Sequence, residues 1–348
     1  MDTITTLVDC PFQVDKTWKW REFVDGHDGY LYGIPFIANR VLKFCLKDES
    51  MTEIGPEFQH DAWWCGILAK NHKIYCPPIS PDSKFLIIDI KNQSVFLLDK
   101  PLPETGTPYL WRSGALAADG NIYFMPYRAT KILKLNTSND TLSTVGDDFR
   151  HVKNKFGATV ASNDGNTIYG FPFHENKIIK YNITTPNVIS IIGDGAFNHD
   201  IVCTTAILGP NKTTIIGLDR YGQILLYNTE SDVYYFIQGR IYHEHGNGWG
   251  DAIIGSDNNI YWPPDQSNKV LKFDLITQNR SLVGDNFSGT QHGDCKWSSG
   301  CISPDSNGFA YFVPDSTKYI LKLDTNKQKN KYRKIKDKLK KSLARSKK

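Results

Sequence analysis

The sequence predicts an all-β fold, a ring of seven four-stranded antiparallel blades. Three observations predict it: a motif that recurs seven times, the same four-strand grammar in each copy, and a last copy whose missing strand is offered by the N-terminus. The motif is an apolar residue, Tyr, two residues and Pro. It stands at Tyr32/Pro35, Tyr75/Pro78, Tyr123/Pro126, Tyr169/Pro172, Tyr261/Pro264 and Tyr311/Pro314, with a degenerate copy in which Ile216 and Asp219 hold the two places. The steps between anchors are 43, 48, 46, 47, 45 and 50 residues. A period of that size marks an architecture in which each copy is one supersecondary unit.

The grammar is clearest from Trp111 to Asp147, where runs rich in β-branched and aromatic residues cover about 112–118, 121–127, 131–136 and 141–145. Asp119-Gly120 separates the first two, and Gly accepts the positive φ that a two-residue hairpin needs. The third run recurs as Val41-Leu42-Lys43-Phe44, Ile132-Leu133-Lys134-Leu135, Ile178-Ile179-Lys180-Tyr181, Val270-Leu271-Lys272-Phe273 and Ile320-Leu321-Lys322-Leu323. Each repeat is therefore a four-stranded meander. The seventh copy stops after its third strand, and Thr5-Thr6-Leu7-Val8-Asp9 matches fourth-strand endings such as Leu282-Val283-Gly284-Asp285. Residues about 3–8 are expected to complete the last blade. A repeat split between the termini favours a closed β-propeller over an open solenoid, which would want distinct caps.

Over residues 3–325 the chain resembles β-propeller repeat proteins. The Ile34-Pro35 ending followed by Val41-Leu42-Lys43 is similar to an IYGxP/VLKxD repeat in uncharacterised proteins of microbial eukaryotes and large DNA viruses. The Gly-His and Trp-Asp signature of WD40 repeats and the paired glycines of kelch are missing. The resemblance implies a fold and almost nothing about activity.

Composition agrees with a folded chain: of 348 residues 40% are hydrophobic and 22% charged. The start, Met1 to Val14, carries Asp2 and Asp9 and lacks the basic and apolar regions of a secretory signal. No run approaches the roughly 18 apolar residues that span a bilayer. A cytoplasmic or nuclear, non-secreted protein without a transmembrane segment is expected. Seven cysteines are scattered without a Cys-x-x-Cys pair, which points to reduced, mostly buried thiols.

Connections from second to third strand, and from fourth strand to the next blade, share one end of the ring, called the top. First strands carry small residues at their centres (Gly66, Gly114, Ala252, Gly300) and are expected to line the central channel. All but the fifth, which has Val202-Cys203-Thr204 there, open with an aromatic: Trp20, Trp63, Trp111, Phe156, Trp249 and Trp297. These rings either wedge between blades as core residues or form a stacking surface at the channel mouth. On the second reading Trp111, Arg112, Arg240, His245, Trp249 and Trp297 are the candidate ligand contacts. The segment Gln238–Asp251, next to the degenerate fifth copy, is rich in Gly and polar side chains, and local irregularity is where function intrudes.

His60, His151, His199, His243, His245 and His292 precede first strands and His174 follows a second strand, so seven of nine histidines fall on top-side loops. With Asp61, Asp200, Glu244, Asp251 and Asp294 they could bind a divalent metal and activate water. They belong to different blades, and His243-Glu244-His245 is not the helical His-Glu-x-x-His arrangement, so neither a metal nor a cofactor is assigned. Phosphate-loop and nucleophile-elbow motifs are absent too.

The chain divides into a propeller, 1–326, and a tail, 327–348, that holds twelve Lys or Arg against one Asp. The tail is +11 and the whole chain +4, so residues 1–326 carry −7. Tyr332, Ile335, Leu339 and Leu343 would form one stripe of a helix, although so many like charges favour disorder. Lys331, Arg333, Lys334, Lys338, Lys340 and Lys341 are the candidate contacts to an anionic partner, nucleic acid or anionic membrane. The sequence shows no catalytic constellation, which favours a non-catalytic binding or scaffold protein that presents its top-face loops to a protein or small-molecule ligand. The alternative is a propeller hydrolase or lyase using His199, His243, His245 and His292, with or without a metal.

Overall fold

The computed structural model describes residues 4–326, apart from 14, 60–61, 106, 150–153, 186–187, 194–202, 220, 240, 242–247 and 290–294. It contains seven four-stranded antiparallel sheets, each in simple meander order. In the third blade the strands are Trp111–Leu116, Ile122–Pro126, Ile132–Asn136 and Thr141–Val145. The ring closes as the sequence predicts. Thr5–Asp9 pairs with Tyr319–Asp324 as the outer strand of blade 7, in a register running from Thr5↔Leu323 to Asp9↔Tyr319.

The apolar core is divided into seven layers, each between two neighbouring blades. One layer joins blade 7 to blade 1 through Tyr311, Val313 and Ile320 against Trp20, Phe23 and Leu31. Every blade is thus buried on both faces, which explains strands that read as nearly continuous apolar runs.

The repeated Tyr and Lys are cross-strand partners: Tyr32↔Lys43, Tyr123↔Lys134, Tyr169↔Lys180, Tyr261↔Lys272 and Tyr311↔Lys322. In three of the pairs a carboxylate joins the two. Tyr123 donates to Asp119 at 2.8 Å while Lys134 lies 3.5 Å from the same carboxylate; Tyr261 donates to Asp257 at 2.8 Å with Lys272 at 3.2 Å. Elsewhere the acid comes from the next blade: Glu49 serves Tyr311 and Lys322, and Asp232 serves Lys180. The acid keeps its role while changing its place in the repeat.

The fifth copy, irregular in sequence, is a complete blade: Cys203–Leu208, Thr214–Asp219, Ile224–Asn228 and Tyr234–Phe236. Asp219, which stands where other copies have Pro, shapes the turn by accepting from the backbone N–H groups of Tyr221 (2.8 Å) and Gln223 (2.7 Å). The shortened inner strands lie in blades 2 and 6, at Ile67–Leu68 and Ile253–Ile254, each preceded by a lone bridge, Trp63↔Pro78 and Trp249↔Pro264.

Burial sets the value of each Tyr–Lys–acid group. Lys272 and Asp257 are 5% and 2% exposed, against 30% and 31% for Lys134 and Asp119. Asp257→Ala removes a carboxylate from a buried ammonium and is expected to cost about 3 kcal/mol, whereas Asp119→Ala is expected to cost about 1 kcal/mol or less. Urea denaturation of the two variants checks the ranking.

Candidate functional site

Every blade leaves the inner edge of its first strand facing the axis, and those backbone groups need partners. Side chains of the neighbouring blade supply several. Glu22 accepts from the Gly66 N–H at 2.7 Å, the Ser113 hydroxyl accepts from the Thr159 N–H at 3.0 Å, and the Thr205 hydroxyl accepts from the Ala252 N–H at 3.2 Å. Thr159 returns its hydroxyl to the Ser113 carbonyl at 2.9 Å. The Asp251 N–H donates directly to the Ser298 carbonyl at 2.6 Å. Strands come this close because glycines occupy the tightest positions. A Cβ on Gly157 or Gly250 would run into the carbonyl oxygen of Cys203 or Ser298.

The opening aromatics are core residues. Trp111, Trp249 and Trp297, weighed above as ligand contacts, are 1%, 4% and 0% exposed. Each donates its indole N–H to a carbonyl just before or at the start of the third strand of its own blade: Lys131 at 3.0 Å, Lys269 at 3.0 Å and Tyr319 at 2.7 Å. Trp20 and Trp63 do the same with Arg40 (2.9 Å) and Lys84 (3.0 Å).

The residue that reaches the channel is the next one. Pairing of first with second strand slips between Trp20 and Glu22, Trp111 and Ser113, Phe156 and Ala158, and Cys203 and Thr205. Such a bulge sets two residues against one and re-aims a side chain. The residues so placed are Arg21, Arg112, Gly157 and Thr204, with Trp64 following the lone bridge in blade 2.

Arg21, Trp64 and Arg112 form a stack at the top. The guanidinium carbons of Arg21 and Arg112 lie 4.6 and 4.5 Å from the Trp64 ring centre. Phe173 and Tyr127 pack on Arg112 at 5.3 and 5.8 Å, and Phe36 on Arg21 at 5.7 Å. Phe36, Tyr127 and Phe173 each follow the motif Pro of their blade; in blades 6 and 7 that place is held by Asp265 and Asp315. One side of the mouth is therefore aromatic and cationic, the other acidic.

The two arginines differ in partners. Arg21 donates to Asp315 at 2.6 Å. Arg112 has no carboxylate within 4.0 Å among the described residues. It lines a cavity of about 180 Å³ together with Glu22, Trp64, Ser113, Thr159, Thr205 and Asp251. Burial pushes the Glu22 carboxyl up to about 8, with Asp251 adding to the rise and the Gly66 N–H opposing it. Burial also raises Asp251, against the pull of Arg112 and Arg21. Asp265 is pushed up to about 7 by burial, Arg21 opposing, and its Oδ1 has no hydrogen bond among the described residues.

Three buried lysines, unforeseen from sequence, brace this end. Lys19, Lys155 and Lys296 precede the opening aromatics and donate to equivalent carbonyls of the preceding blade, Thr317 at 2.7 Å, Ala129 at 3.0 Å and Ser267 at 3.0 Å. Burial holds all three below the ordinary lysine range.

His199, His243, His245, His292, Arg240 and the tail residues Lys331, Arg333, Lys334, Lys338, Lys340 and Lys341 lie outside the described residues. His174 packs its ring on Phe173 at 4.8 Å. Among the described residues no three His, Cys, Asp or Glu gather as a metal ion would need, all seven cysteines are free, and no helix is long and apolar enough to cross a membrane.

Fold and channel together define a seven-bladed β-propeller with a polar, charged cavity on its axis. Among solved structures the chain is similar to a streptogramin B lyase (13% identity, TM-score 0.73, covering 92% of this chain and 97% of that one) and to virginiamycin B lyase of Staphylococcus aureus (11%, 0.73, 92% and 98%). It is also similar to the extracellular domain of BT4673 from B. thetaiotaomicron (11%, 0.66), with 93% of this chain matching 40% of that one. At these identities the likeness is one of fold. No protein-family model matches the chain, and no curated protein matches its sequence.

The raised Glu22 pKa fixes the sign of a pH effect. Between the ordinary glutamate value, about 4.5, and about 8 the folded chain holds a proton that the unfolded chain releases, so stability falls as pH rises through that window and levels off above it. Glu22→Gln keeps a hydrogen-bond acceptor for Gly66 and is expected to flatten this fall, leaving a smaller slope from Asp265. Urea midpoints measured at intervals from pH 5 to pH 9, for wild type and variant, check it.

Proposed function

We propose that this chain is a non-catalytic binding protein that takes a small ligand, or a short segment of a partner, into the top end of its channel. One observation carries the reading. The Arg112 guanidinium faces the cavity, stacked on Trp64 and flanked by Tyr127 and Phe173, with no carboxylate inside 4.0 Å among the described residues. Arginine is planar and offers a rigid fork of donors, and a charge kept from water is costly unless something pairs with it. The resemblance to the IYGxP/VLKxD repeat proteins adds a fold-level grouping and no ligand.

A thermal-shift screen of the full chain against small anions, zwitterions, nucleotides, sugars and peptides tests the site. At least one class is expected to raise Tm by a few degrees in wild type and to leave Arg112→Gln unmoved, with the ligand recovered unchanged. Equal shifts in both proteins would move the site elsewhere.

The tail, 327–348, acts on this reading as a sequence-neutral electrostatic arm, its cations releasing counterions from an anionic partner. Binding to duplex DNA should weaken steeply with salt, by a log–log slope of about −0.9 per phosphate contacted. Truncation after Thr325 should abolish it, and a truncated chain that keeps full affinity removes the tail from the proposal.

A hydrolase or lyase acting in the same channel is the second reading, and Glu22 favours it. A carboxyl titrating at about 8 on a cavity wall is suited to proton transfer near neutrality. Lyases occur among the proteins of similar fold. His199, His243, His245 and His292 would then be partners of Glu22 in chemistry. Conversion of a bound compound by wild type, lost in Glu22→Gln with affinity retained, would establish it over the binding reading.

A further inference from the structure

The cavity holds two charges of opposite sign that do not meet. Arg112 from blade 3 and Asp251 from blade 6 both line it, each keeping part of its surface on the open space, and each is near enough to displace the other's pKa. Yet among the described residues no nitrogen–oxygen pair between them lies within 4.0 Å. The same mouth shows what a closed pair looks like, since Arg21 meets Asp315 at 2.6 Å.

Neither member can readily swing across. The Arg112 guanidinium is held among the rings of Trp64, Tyr127 and Phe173, and the Asp251 backbone is tied to Ser298. A separated pair in a low-dielectric cleft offsets its desolvation costs only in part, through the field each charge exerts on the other and the Thr205 hydroxyl on Asp251, so whatever occupies the gap does best by carrying both complementary charges.

We propose that this cavity binds a small zwitterion of the α-amino-acid class, its carboxylate on the Arg112 guanidinium and its ammonium on the Asp251 carboxylate. The inference rests on the ligand-binding reading above and specifies its chemistry. A lone anion would gain Arg112 and be repelled by Asp251; a lone cation would suffer the reverse. Of the hydroxyls on the wall, that of Thr159 is spent on the Ser113 carbonyl, while those of Ser113 and Thr205 accept from backbone N–H groups and Thr205 also bonds the Asp251 carboxylate, so the two charged groups supply the main polar selection. Glu22, its carboxyl pushed up to about 8 by burial, adds less charge than an ordinary glutamate and can hydrogen-bond to the ligand.

Size limits the side chain. At about 180 Å³ the cavity is a little larger than one of about 150 Å³ that takes benzene. That suits alanine, serine or threonine better than an aromatic amino acid, and the faces of Trp64 are already covered by Arg21 and Arg112.

The test is isothermal titration calorimetry on the full chain with L-alanine, L-serine and L-threonine, and with propionate and ethylamine as the two halves of alanine. At least one amino acid is expected to bind once per chain. Each half should bind about tenfold or more weakly than alanine, because it leaves one buried charge unpaired. Arg112→Gln and Asp251→Asn should each abolish binding while circular dichroism stays that of the wild type. The halves keep the test independent of how well the variants fold. Propionate binding as tightly as alanine would overturn the proposal in favour of a plain anion site. If no amino acid binds while another compound from the screen binds through Arg112, the zwitterion is rejected and the binding reading stands. If nothing binds the wild type, both fall.

Discussion

The inner edges of seven first strands converge on one axis, and their backbone groups have to be satisfied there. Much of the structure follows from that constraint. Strands approach the axis most closely where side chains are small, hence Gly157 and Gly250 against neighbouring carbonyls, and several exposed edges are closed by short polar groups such as Ser113, Thr159 and Thr205. The polar channel is in the first instance the solution to an edge problem. Glu22 serves that need too, on the Gly66 N–H, whereas the Arg112 guanidinium, which it does not explain, stands out against that background.

The break in pairing after the opening residue, a bulge or a lone bridge, is the second half of the same solution. The aromatic must lie in the layer between blades, with its indole N–H capping a carbonyl near the third strand, while the strand beyond it must face the axis. One extra residue takes up the mismatch and projects into the mouth. It lies outside the layer between blades and differs between copies: Arg21, Trp64, Arg112, Gly157 and Thr204 occupy equivalent places, with Gly157 where the Cys203 carbonyl leaves no room for a side chain. A regular scaffold thereby presents an irregular set of side chains, aromatic and cationic over blades 1 to 4, acidic at Asp265 and Asp315.

The fold was legible in the sequence because its determinants are local or periodic. Tyr and Lys recur since they face each other across two strands, and the orphan strand Thr5–Asp9 could be matched to the ends of other copies. The acid that joins Tyr to Lys escaped notice because it moves from Asp119 in its own blade to Glu49 in the next. The fifth copy looked defective for lack of its Pro, yet Asp219 makes the turn by hydrogen bonding. The site was half legible. Arg112 was singled out as a ligand contact, but beside Trp111, Trp249 and Trp297, whose rings the core absorbs. A bulge has no local signature in one sequence. The signal that was there was divergence, a position that varies most just after the residue that varies least. Lys19, Lys155 and Lys296 carried a similar unread regularity, each placed directly before an opening aromatic.

Closure through Thr5–Asp9 also orders events in time. Within the propeller the first strand to be made is the last to find its partner, since Tyr319–Asp324 is made more than three hundred residues later. Blades 1 to 6 can form as the chain emerges, but the layer between blade 7 and blade 1 awaits the final strand, and a pairing of such long range is slow to nucleate. During synthesis the N-terminal segment is an unpaired apolar strand beside a growing stack of open edges. The cell therefore handles a curved, unfinished array until the last moment, and anything that holds the first ten residues away from blade 7 leaves it in that state.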